Sequence, residues 1–150
     1  MQFYESEVPI YEALNDFADS LDSAYYMGSG FDMTPAETLE SEVLHVDKDP
    51  HAVGFLSNRG YDALQEDITS YKPERDFDLI LLSHVPTFTR PLLEPNMTKH
   101  GMVACQTDTR AEEIDSRDQF EPEAVYTDGE ISIIEDLEGN LESELYIFQI

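Results

Sequence analysis

Residues 23–49 decide the fold of this chain, and they read S-A-Y-Y-M-G-S-G-F-D-M-T-P-A-E-T-L-E-S-E-V-L-H-V-D-K-D. A short apolar segment, Ala24–Met27, is followed by the turn Gly28–Gly30, and a second apolar segment, Val43–Val46, ends at Asp47. Glycine adopts positive φ without strain and has no side chain, so this turn can bend sharply and lie close to a ligand. The pattern predicts a strand, a glycine loop, a helix, a second strand and then an acid.

The residues between the two apolar segments predict a short helix. Thr34, Pro35 and Glu37 have the spacing of a capping box, with proline at the first helical position, where its missing N–H costs nothing. Asp47 follows Gly28 at roughly the 20-residue offset at which an acid receives ribose hydroxyls in nucleotide-binding βαβ units. This order is typical of the nucleotide-binding half of a Rossmann-like fold, although two glycines alone also fit a plain tight turn.

The composition predicts one folded domain with an acidic surface. A chain of 150 residues is long enough to bury about two thirds of its unfolded surface, so we expect residues 1–150 to form a single domain. Its 8 lysines and arginines against 33 aspartates and glutamates give a net charge of −25. The 41% apolar and 11% aromatic residues are too many for a disordered chain. Molar salt shortens the Debye length to about 3 Å and screens such repulsion, so we expect a halophilic protein.

The cysteine, histidine and apolar patterns disfavour disulfides, metal sites and membrane spans. Cys105 is the one cysteine, so no disulfide forms within the chain, and its apolar surroundings predict a buried thiol. His45, His51 and His100 lack zinc-like spacing, so we expect no metal site. The sequence has no secretory signal pattern and no apolar run near 18 residues, so we expect a cytoplasmic protein.

The C-terminal part of the chain limits the class of partner. Residues 111–150 contain 13 acids and a single base, Arg117. Such a surface repels phosphate backbones and anionic lipids, so nucleic acid is disfavoured and no membrane is expected. We expect a small-molecule or protein substrate, and a homo-oligomer stays open.

The remaining patterns predict strands that alternate with helices. An amphipathic helix is expected over residues 9–21, and this N-terminal segment, 1–22, should pack on the sheet. Asp49 and Pro50 start a further helix that Gly60 ends. The apolar run Leu79–Leu82 is typical of a strand covered on both faces by helices. Further strands are expected at residues 61–65, 77–82, 102–106, 124–126, 131–134 and 145–150.

The alternation changes in the last third of the chain. A short acidic helix is expected over residues 110–118, and Gly139-Asn140 suggests a hairpin turn and antiparallel pairing. Together the elements predict an α/β fold, a Rossmann-like three-layer α/β/α sandwich. Its mostly parallel sheet should have six to seven strands with an antiparallel C-terminal strand or hairpin.

Four motifs resemble those of the class I S-adenosylmethionine-dependent methyltransferases. Y-M-G-S-G at residues 26–30 looks like the glycine-rich first motif, and H-V-D-K-D-P at 45–50 looks like the acidic second motif. Q-E-D-I at 65–68 is similar to the third motif, and F-D-L-I-L-L-S-H-V at 77–85 to the fourth-strand segment. The resemblance covers residues 22–150 and implies S-adenosyl-L-methionine as cofactor.

The resemblance also implies which residues hold that cofactor. They are Gly28, Ser29 and Gly30 at the methionine part, Asp47 at the ribose hydroxyls with Lys48 beside it, Asp67 and Ile68 at the adenine, and Ser83 at the methyl-transfer position. His84 would line the same position, so Ser83 and His84 are the candidate catalytic residues. A histidine at a strand end is more often a hydrogen-bonded wall than a base.

Departures from the family pattern keep three hypotheses open. The positions before Gly28 are Tyr25, Tyr26 and Met27, where the family usually carries an acid. The first hypothesis is a methyltransferase acting on a small molecule or protein. The second is a catalytically inactive methyltransferase-fold module for binding or assembly. The third, a nicotinamide-binding Rossmann domain, is less favoured because the fuller G-x-G-x-x-G is absent.

Overall fold

The computed structural model describes residues 3–17, 21–83, 87–88, 90–106, 110–111, 123–127, 129–133 and 145–149. Its helices are α1 (Val8–Phe17), α2 (Thr34–Thr38), α3 (Pro50–Asn58) and α4 (Arg90–Leu93), with 3-10 turns at Glu5–Glu7 and Glu94–Asn96. Its strands are β1 (Ser23–Met27), β2 (Glu42–Asp47), β3 (Asp62–Gln65), β4 (Phe77–Leu82), β5 (Thr87–Phe88), β6 (Met97–Gln106), β7 (Arg110–Ala111), β8 (Ala124–Thr127), β9 (Glu130–Ile133) and β10 (Leu145–Gln149).

The main sheet has eight strands in the order β3-β2-β1-β4-β6-β10-β8-β9. The first five of these run parallel, whereas β10 is antiparallel to β6 and to β8, and β8 is antiparallel to β9. The predicted Rossmann-like α/β fold is confirmed, with one strand more than the six to seven expected. The strand order reverses between β1 and β4, and in such sheets a crevice forms at the carboxyl ends of the strands beside that reversal.

The central strands are apolar on both faces because helices and loops cover both sides of the sheet. Ala24 and Tyr26 of β1 belong to one core cluster, with Leu79 and Leu81 of β4. The alternate residues belong to the second core cluster, namely Tyr25 and Met27 of β1 and Ile80 and Leu82 of β4. This two-sided burial explains why Leu79–Leu82 reads as an unbroken apolar run.

Each core cluster is closed by side chains from outside the sheet. Helix α1 contributes Ile10, Tyr11 and Leu14 to the first cluster. Helix α4 contributes Leu93 to the second cluster, which also contains the buried thiol of Cys105 that the sequence predicts. The sequence-predicted helix over residues 9–21 corresponds to α1, and residues 18–20 lie outside the described part of the chain.

The C-terminal end of the sheet is antiparallel, as predicted, but its pairing differs in detail. A hairpin joins β8 to β9, with Gly129 at a φ of 88° in the turn. Strand β10 inserts between β6 and β8. The hairpin turn suggested at Gly139-Asn140 lies outside the described residues.

Two other local predictions are revised by the structure. Arg110 and Ala111 form β7, which pairs with β5, so the backbone groups expected in a helix are satisfied by strand pairing. The rest of that expected helix, residues 112–118, lies outside the described chain. Strand β6 begins at Met97 rather than at Met102, because residues 97–101 continue the strand beside Phe77 of β4. No helix in the described ranges is long and apolar enough to cross a membrane.

Candidate functional site

The glycine loop that follows β1 lies at the carboxyl edge of the sheet, at the reversal of strand order. Gly28 and Gly30 have φ values of 62° and 57°, in the left-handed region that favours glycine. The Gly28 N–H donates a hydrogen bond to the Val46 carbonyl at 2.8 Å, which fixes the loop to the neighbouring strand β2. The two glycines that the sequence singles out are therefore required by the backbone conformation of the loop.

Asp47, at the end of β2, joins the glycine loop to the start of α3. Its Oδ2 accepts a hydrogen bond from the Gly30 N–H at 2.9 Å, and its Oδ1 accepts one from the Asp49 N–H at 2.8 Å. The side chain of Asp47 is half-buried, and Lys48 beside it is exposed. Because a carboxylate oxygen can accept more than one hydrogen bond, both oxygens keep lone pairs for a ligand.

Asp67 and Ile68 lie in the turn after β3, beside the end of β2. The Asp47 carbonyl accepts a hydrogen bond from the Glu66 N–H at 3.1 Å, which ties the two strand ends together. Asp67 is exposed, and its Oδ1 accepts hydrogen bonds from the N–H of Thr69 at 2.9 Å and from its hydroxyl at 2.6 Å. These bonds to Thr69 lower the pKa of Asp67 and keep it ionised. Ile68 is half-buried against the second core cluster.

Ser29 differs in orientation from its two glycine neighbours. The residue is fully buried, and its hydroxyl donates to the Gly30 carbonyl at 3.3 Å. Its own carbonyl accepts from the Asp32 N–H at 3.2 Å. Ser29 therefore supports the loop from inside, and the exposed surface of the loop comes from the glycines and Phe31.

The helix after the glycine loop is not capped as the sequence predicts. The Thr34 hydroxyl, expected to cap the helix, instead accepts a hydrogen bond from the Tyr4 N–H at 2.8 Å. The Thr34 N–H donates to Asp32 Oδ1 at 3.0 Å. The predicted capping box is thus wrong, because Asp32 lies two residues ahead of the helix and its carboxylate reaches the first free N–H. The Thr34 hydroxyl is instead hydrogen-bonded to the N-terminal segment through the Tyr4 N–H.

The same Asp32 carboxylate belongs to a buried chain of polar groups that sequence reasoning missed. Asp32 Oδ2 accepts a hydrogen bond from the Tyr26 hydroxyl at 2.6 Å. The Tyr26 hydroxyl is also hydrogen-bonded to the hydroxyl of Ser83, at the end of β4. All three residues are buried, with Asp32 only 2% exposed. The chain connects the glycine loop to the candidate catalytic position across the ends of β1 and β4.

The direction of this hydrogen-bond chain follows from the proton inventory of its members. An ionised carboxylate only accepts, so the single Tyr26 proton is donated to Asp32. Burial raises the pKa of Tyr26 well above 10, so the phenol stays protonated. The Ser83 hydroxyl must then donate to the Tyr26 oxygen. The Ser83 oxygen then accepts no hydrogen bond from this chain.

A second polar pair lies at the end of the next strand. Gln106, the last residue of β6, donates from Nε2 to the Tyr11 hydroxyl at 2.9 Å. Tyr11 belongs to α1, and burial raises its pKa well above 10. The helix α1 is therefore hydrogen-bonded to the carboxyl edge of the sheet as well as packed on its face.

The histidines His45 and His51 lie on different elements, β2 and α3. His45 is buried within β2, its ring 5.5 Å from that of Tyr26, and neither of its ring nitrogens has a hydrogen-bond partner among the described residues. Burial lowers its pKa to about 4. His84, the other candidate catalytic residue, lies outside the described part of the chain, and His51 is exposed on α3. The described residues contain no cluster of His, Cys, Asp and Glu that could hold a metal ion.

The sequence matches no protein-family profile and no curated protein. The fold, however, is similar to those of solved methyltransferases. An RNA methyltransferase from Salinibacter ruber, in complex with S-adenosyl-L-homocysteine, aligns with a TM-score of 0.58 at 16% identity, over 93% of this chain and 88% of that protein. The N-methyltransferase NodS from Bradyrhizobium japonicum aligns with a TM-score of 0.52 at 16% identity, over 66% of this chain.

The sugar N-methyltransferase KedS8 from a Streptoalloteichus species aligns with a TM-score of 0.55 at 12% identity, over 68% of this chain. This chain spans 64% of the length of NodS and 47% of that of KedS8. At these identities the comparisons establish the fold alone, the Rossmann-like α/β fold that these methyltransferases share.

Proposed function

We propose that this chain is an S-adenosylmethionine-dependent methyltransferase-like protein whose cofactor binds at the carboxyl edge described above. The observation that carries the proposal is the hydrogen bond from the Gly30 N–H to Asp47 Oδ2. It joins the two elements expected at the methionine part and the ribose of the cofactor. They therefore form one continuous surface at the reversal of strand order, where ligands bind in open α/β sheets.

The chemistry of this edge fits the parts of S-adenosyl-L-methionine. Gly28 and Gly30 let a ligand approach the backbone closely, and Asp47 keeps lone pairs for ribose hydroxyls. Asp67 offers a carboxylate acceptor for the adenine amine, beside the apolar side chain of Ile68. When bound, the cofactor supplies an electrophilic methyl group. The role of this chain is to bind and orient the two reactants, which alone provides much of the rate in such a reaction.

Ser83 is the described residue best placed to act on a methyl acceptor. It follows β4 directly, and its oxygen accepts no hydrogen bond from the buried Tyr26 or Asp32. A hydroxyl in this state accepts a hydrogen bond from an N–H or O–H nucleophile and orients it. We therefore propose Ser83 as the candidate residue at the methyl-transfer position. His84, the second candidate, lies outside the described residues.

We propose a small molecule or a protein as the substrate. The RNA of the Salinibacter ruber enzyme does not carry over to this chain, because a net charge of −25 repels a phosphate backbone. A second candidate function is binding without catalysis. It is favoured by the residues before Gly28, which are Tyr25, Tyr26 and Met27 where the family usually carries an acid.

A binding experiment separates these functions. The protein is dialysed in molar KCl against S-adenosylmethionine, S-adenosylhomocysteine and NAD in parallel. Binding of S-adenosylmethionine and S-adenosylhomocysteine, but not of NAD, supports the methyltransferase-like site. Binding of NAD alone supports a nicotinamide domain. Binding of none of the three rejects the proposed cofactor and leaves the non-catalytic module.

A further inference from the structure

We propose that the chain of Asp32, Tyr26 and Ser83 makes the end of β4 selective for the cationic sulfonium of S-adenosylmethionine over the neutral thioether of S-adenosylhomocysteine. The proposal rests on the proposed function, because it assumes that the cofactor binds at this edge. It assigns to the hydrogen-bond chain the discrimination between the methyl donor and the demethylated product.

Asp32 is a buried carboxylate that has no cationic hydrogen-bond partner among the described residues. Its hydrogen-bond donors among the described residues are the Tyr26 hydroxyl and the Thr34 N–H, both uncharged. The ion pair found in the described ranges joins Arg75 and Glu42, at the opposite end of the strands. A carboxylate that is 2% exposed is costly to bury without a counter-charge. A cation brought near it is therefore stabilised more than in water.

The charge of Asp32 acts on neighbouring tyrosines. The pKa of Tyr11 is raised well above 10, chiefly by burial and further by the charge of Asp32 and then of Glu7. The pKa of Tyr4 is raised by the same three causes in the same order. Tyr4, Tyr11 and Tyr26 therefore remain neutral, and the fixed charges named here share one sign. They create a negative potential on this side of the carboxyl edge.

The hydrogen bonds of the chain all run in one direction, from Ser83 to Asp32. Ser83 donates to Tyr26 and Tyr26 donates to Asp32, so each hydroxyl oxygen is a stronger acceptor than that of an unbonded hydroxyl. The chain ends at Ser83, whose hydroxyl oxygen is an acceptor polarised through Tyr26 by the carboxylate of Asp32. The neutral, polarised end of the chain thus lies where the resemblance places the reacting methyl group, with the charge of Asp32 two hydrogen bonds behind it.

The carboxylate of Asp32 and the polarised oxygen of Ser83 attract the positive charge that only one of the two ligands carries. S-adenosylmethionine and S-adenosylhomocysteine share the adenine, the ribose and the amino-acid part, so contacts at Gly30, Asp47 and Asp67 stabilise both equally. The ligands differ by one methyl group and one positive charge at sulfur. A polarised acceptor near that sulfur favours the methyl donor and promotes release of the product.

The test compares two Tyr→Phe variants that remove one hydroxyl each. Tyr26→Phe breaks the chain between Ser83 and Asp32. Tyr25→Phe is the matched control, because Tyr25 is equally buried on the other face of β1 and its hydroxyl has no partner among the described residues. Calorimetric titrations with S-adenosylmethionine and with S-adenosylhomocysteine, in molar KCl, give the ratio of their dissociation constants for each protein.

We expect the wild type and Tyr25→Phe to bind S-adenosylmethionine more tightly than S-adenosylhomocysteine by the same ratio. Tyr26→Phe should reduce that ratio by roughly tenfold, mainly by weakening S-adenosylmethionine. An unchanged ratio in a folded Tyr26→Phe protein overturns the proposal and leaves the cofactor site intact. Failure of the wild type to bind either ligand overturns the proposed function and this proposal together.

A second variant covers the case in which Tyr26→Phe does not fold. Ser83→Ala keeps the hydrogen bond between Tyr26 and Asp32 and removes the Ser83 acceptor together with its hydrogen bond to Tyr26. The affinity ratio should again fall toward that of a site without charge selectivity. A wild-type ratio in this variant, with an unaltered melting curve, contradicts the role of the chain.

Discussion

The carboxylate of Asp47 holds the backbone of Gly30 at 2.9 Å, so the acid that ends β2 fixes the loop that follows β1. One side chain thereby links the two neighbouring strands at the reversal of strand order. The relationship gives Asp47 two roles, because it shapes the loop and keeps lone pairs for a ligand.

Replacing Asp47 should weaken cofactor binding. Asp47→Ala removes the acceptor for the Gly30 N–H and the expected acceptor for ribose hydroxyls, which we expect to cost about 1.5–3 kcal/mol of binding free energy for S-adenosylhomocysteine. Calorimetric titration measures this loss. Asp76→Ala is the control, because Asp76 is exposed just before β4 at the opposite edge of the sheet. Equal affinity of Asp47→Ala and the wild type would remove Asp47 from the site.

The glycine loop should not tolerate a β-carbon. Gly30 has a φ of 57°, which an alanine adopts at a cost of about 1 kcal/mol, so Gly30→Ala should lower the free energy of unfolding by that amount. Gly54→Ala is the matched change, because Gly54 lies within α3 and a β-carbon there meets nothing within 4 Å. That variant should be more stable than the wild type by up to about 1 kcal/mol. Urea unfolding of both proteins in molar KCl measures the two effects, and a destabilisation shared by both variants would refute the assignment.

The stability of the protein should decrease as the pH falls from 6.5 toward 4, because of His45. Burial lowers the pKa of His45 to about 4 in the folded protein, whereas the unfolded chain keeps the ordinary value of 6.5. Between these values the unfolded state binds a proton that the folded state does not, so acid favours unfolding. The loss reaches about 3 kcal/mol when the pH has fallen through the folded pKa.

The variant His45→Phe isolates this contribution from that of the carboxylates. It should flatten the dependence of unfolding free energy on pH between 6.5 and 4, whereas His51→Gln, on the exposed face of α3, should leave it as in the wild type. Chemical unfolding across this pH range measures both slopes. Identical slopes for His45→Phe and the wild type would mean that His45 titrates normally in the folded protein.

The acidic surface should make stability depend on salt. At a net charge of −25 the folded state is destabilised by repulsion that molar KCl screens over about 3 Å. We expect the melting temperature to rise steadily from millimolar to molar KCl. Melting curves followed by far-UV circular dichroism test this expectation. A melting temperature that does not change with KCl would contradict a halophilic protein.

Much of the sheet could be predicted from sequence because its strands are apolar segments that end at a glycine or an acidic residue. Segments 43–47 and 77–82 and the cap at Asp49 follow from local patterns, and the Asp49 carboxylate does accept the His51 N–H at 2.9 Å. Local patterns do not encode which strands become neighbours, since that depends on contacts distant in sequence. The insertion of β10 between β6 and β8 could therefore not be predicted from local patterns.

The buried chain of polar groups was missed for a related reason. Tyr26 reads as an apolar residue of β1, and Asp32 reads as one more acid in an acidic chain. Their connection depends on Ser83, which is 57 residues from Tyr26 in sequence. One local signal was present, because Asp32 stands two residues before Thr34-Pro35 and aspartate is as good an N-cap as threonine.

The most direct test of the cofactor site is a titration of the 15N-labelled protein with S-adenosylhomocysteine in molar KCl, followed by amide chemical shifts. The amides of Gly28, Gly30 and Lys48 should shift and saturate together, since they surround the bond between Gly30 and Asp47. The amides of Asp62 and Phe77, at the amino ends of β3 and β4, should stay unchanged. Absence of saturable shifts at the glycine loop, or shifts confined to the opposite edge of the sheet, would contradict a cofactor site at the carboxyl ends of the strands.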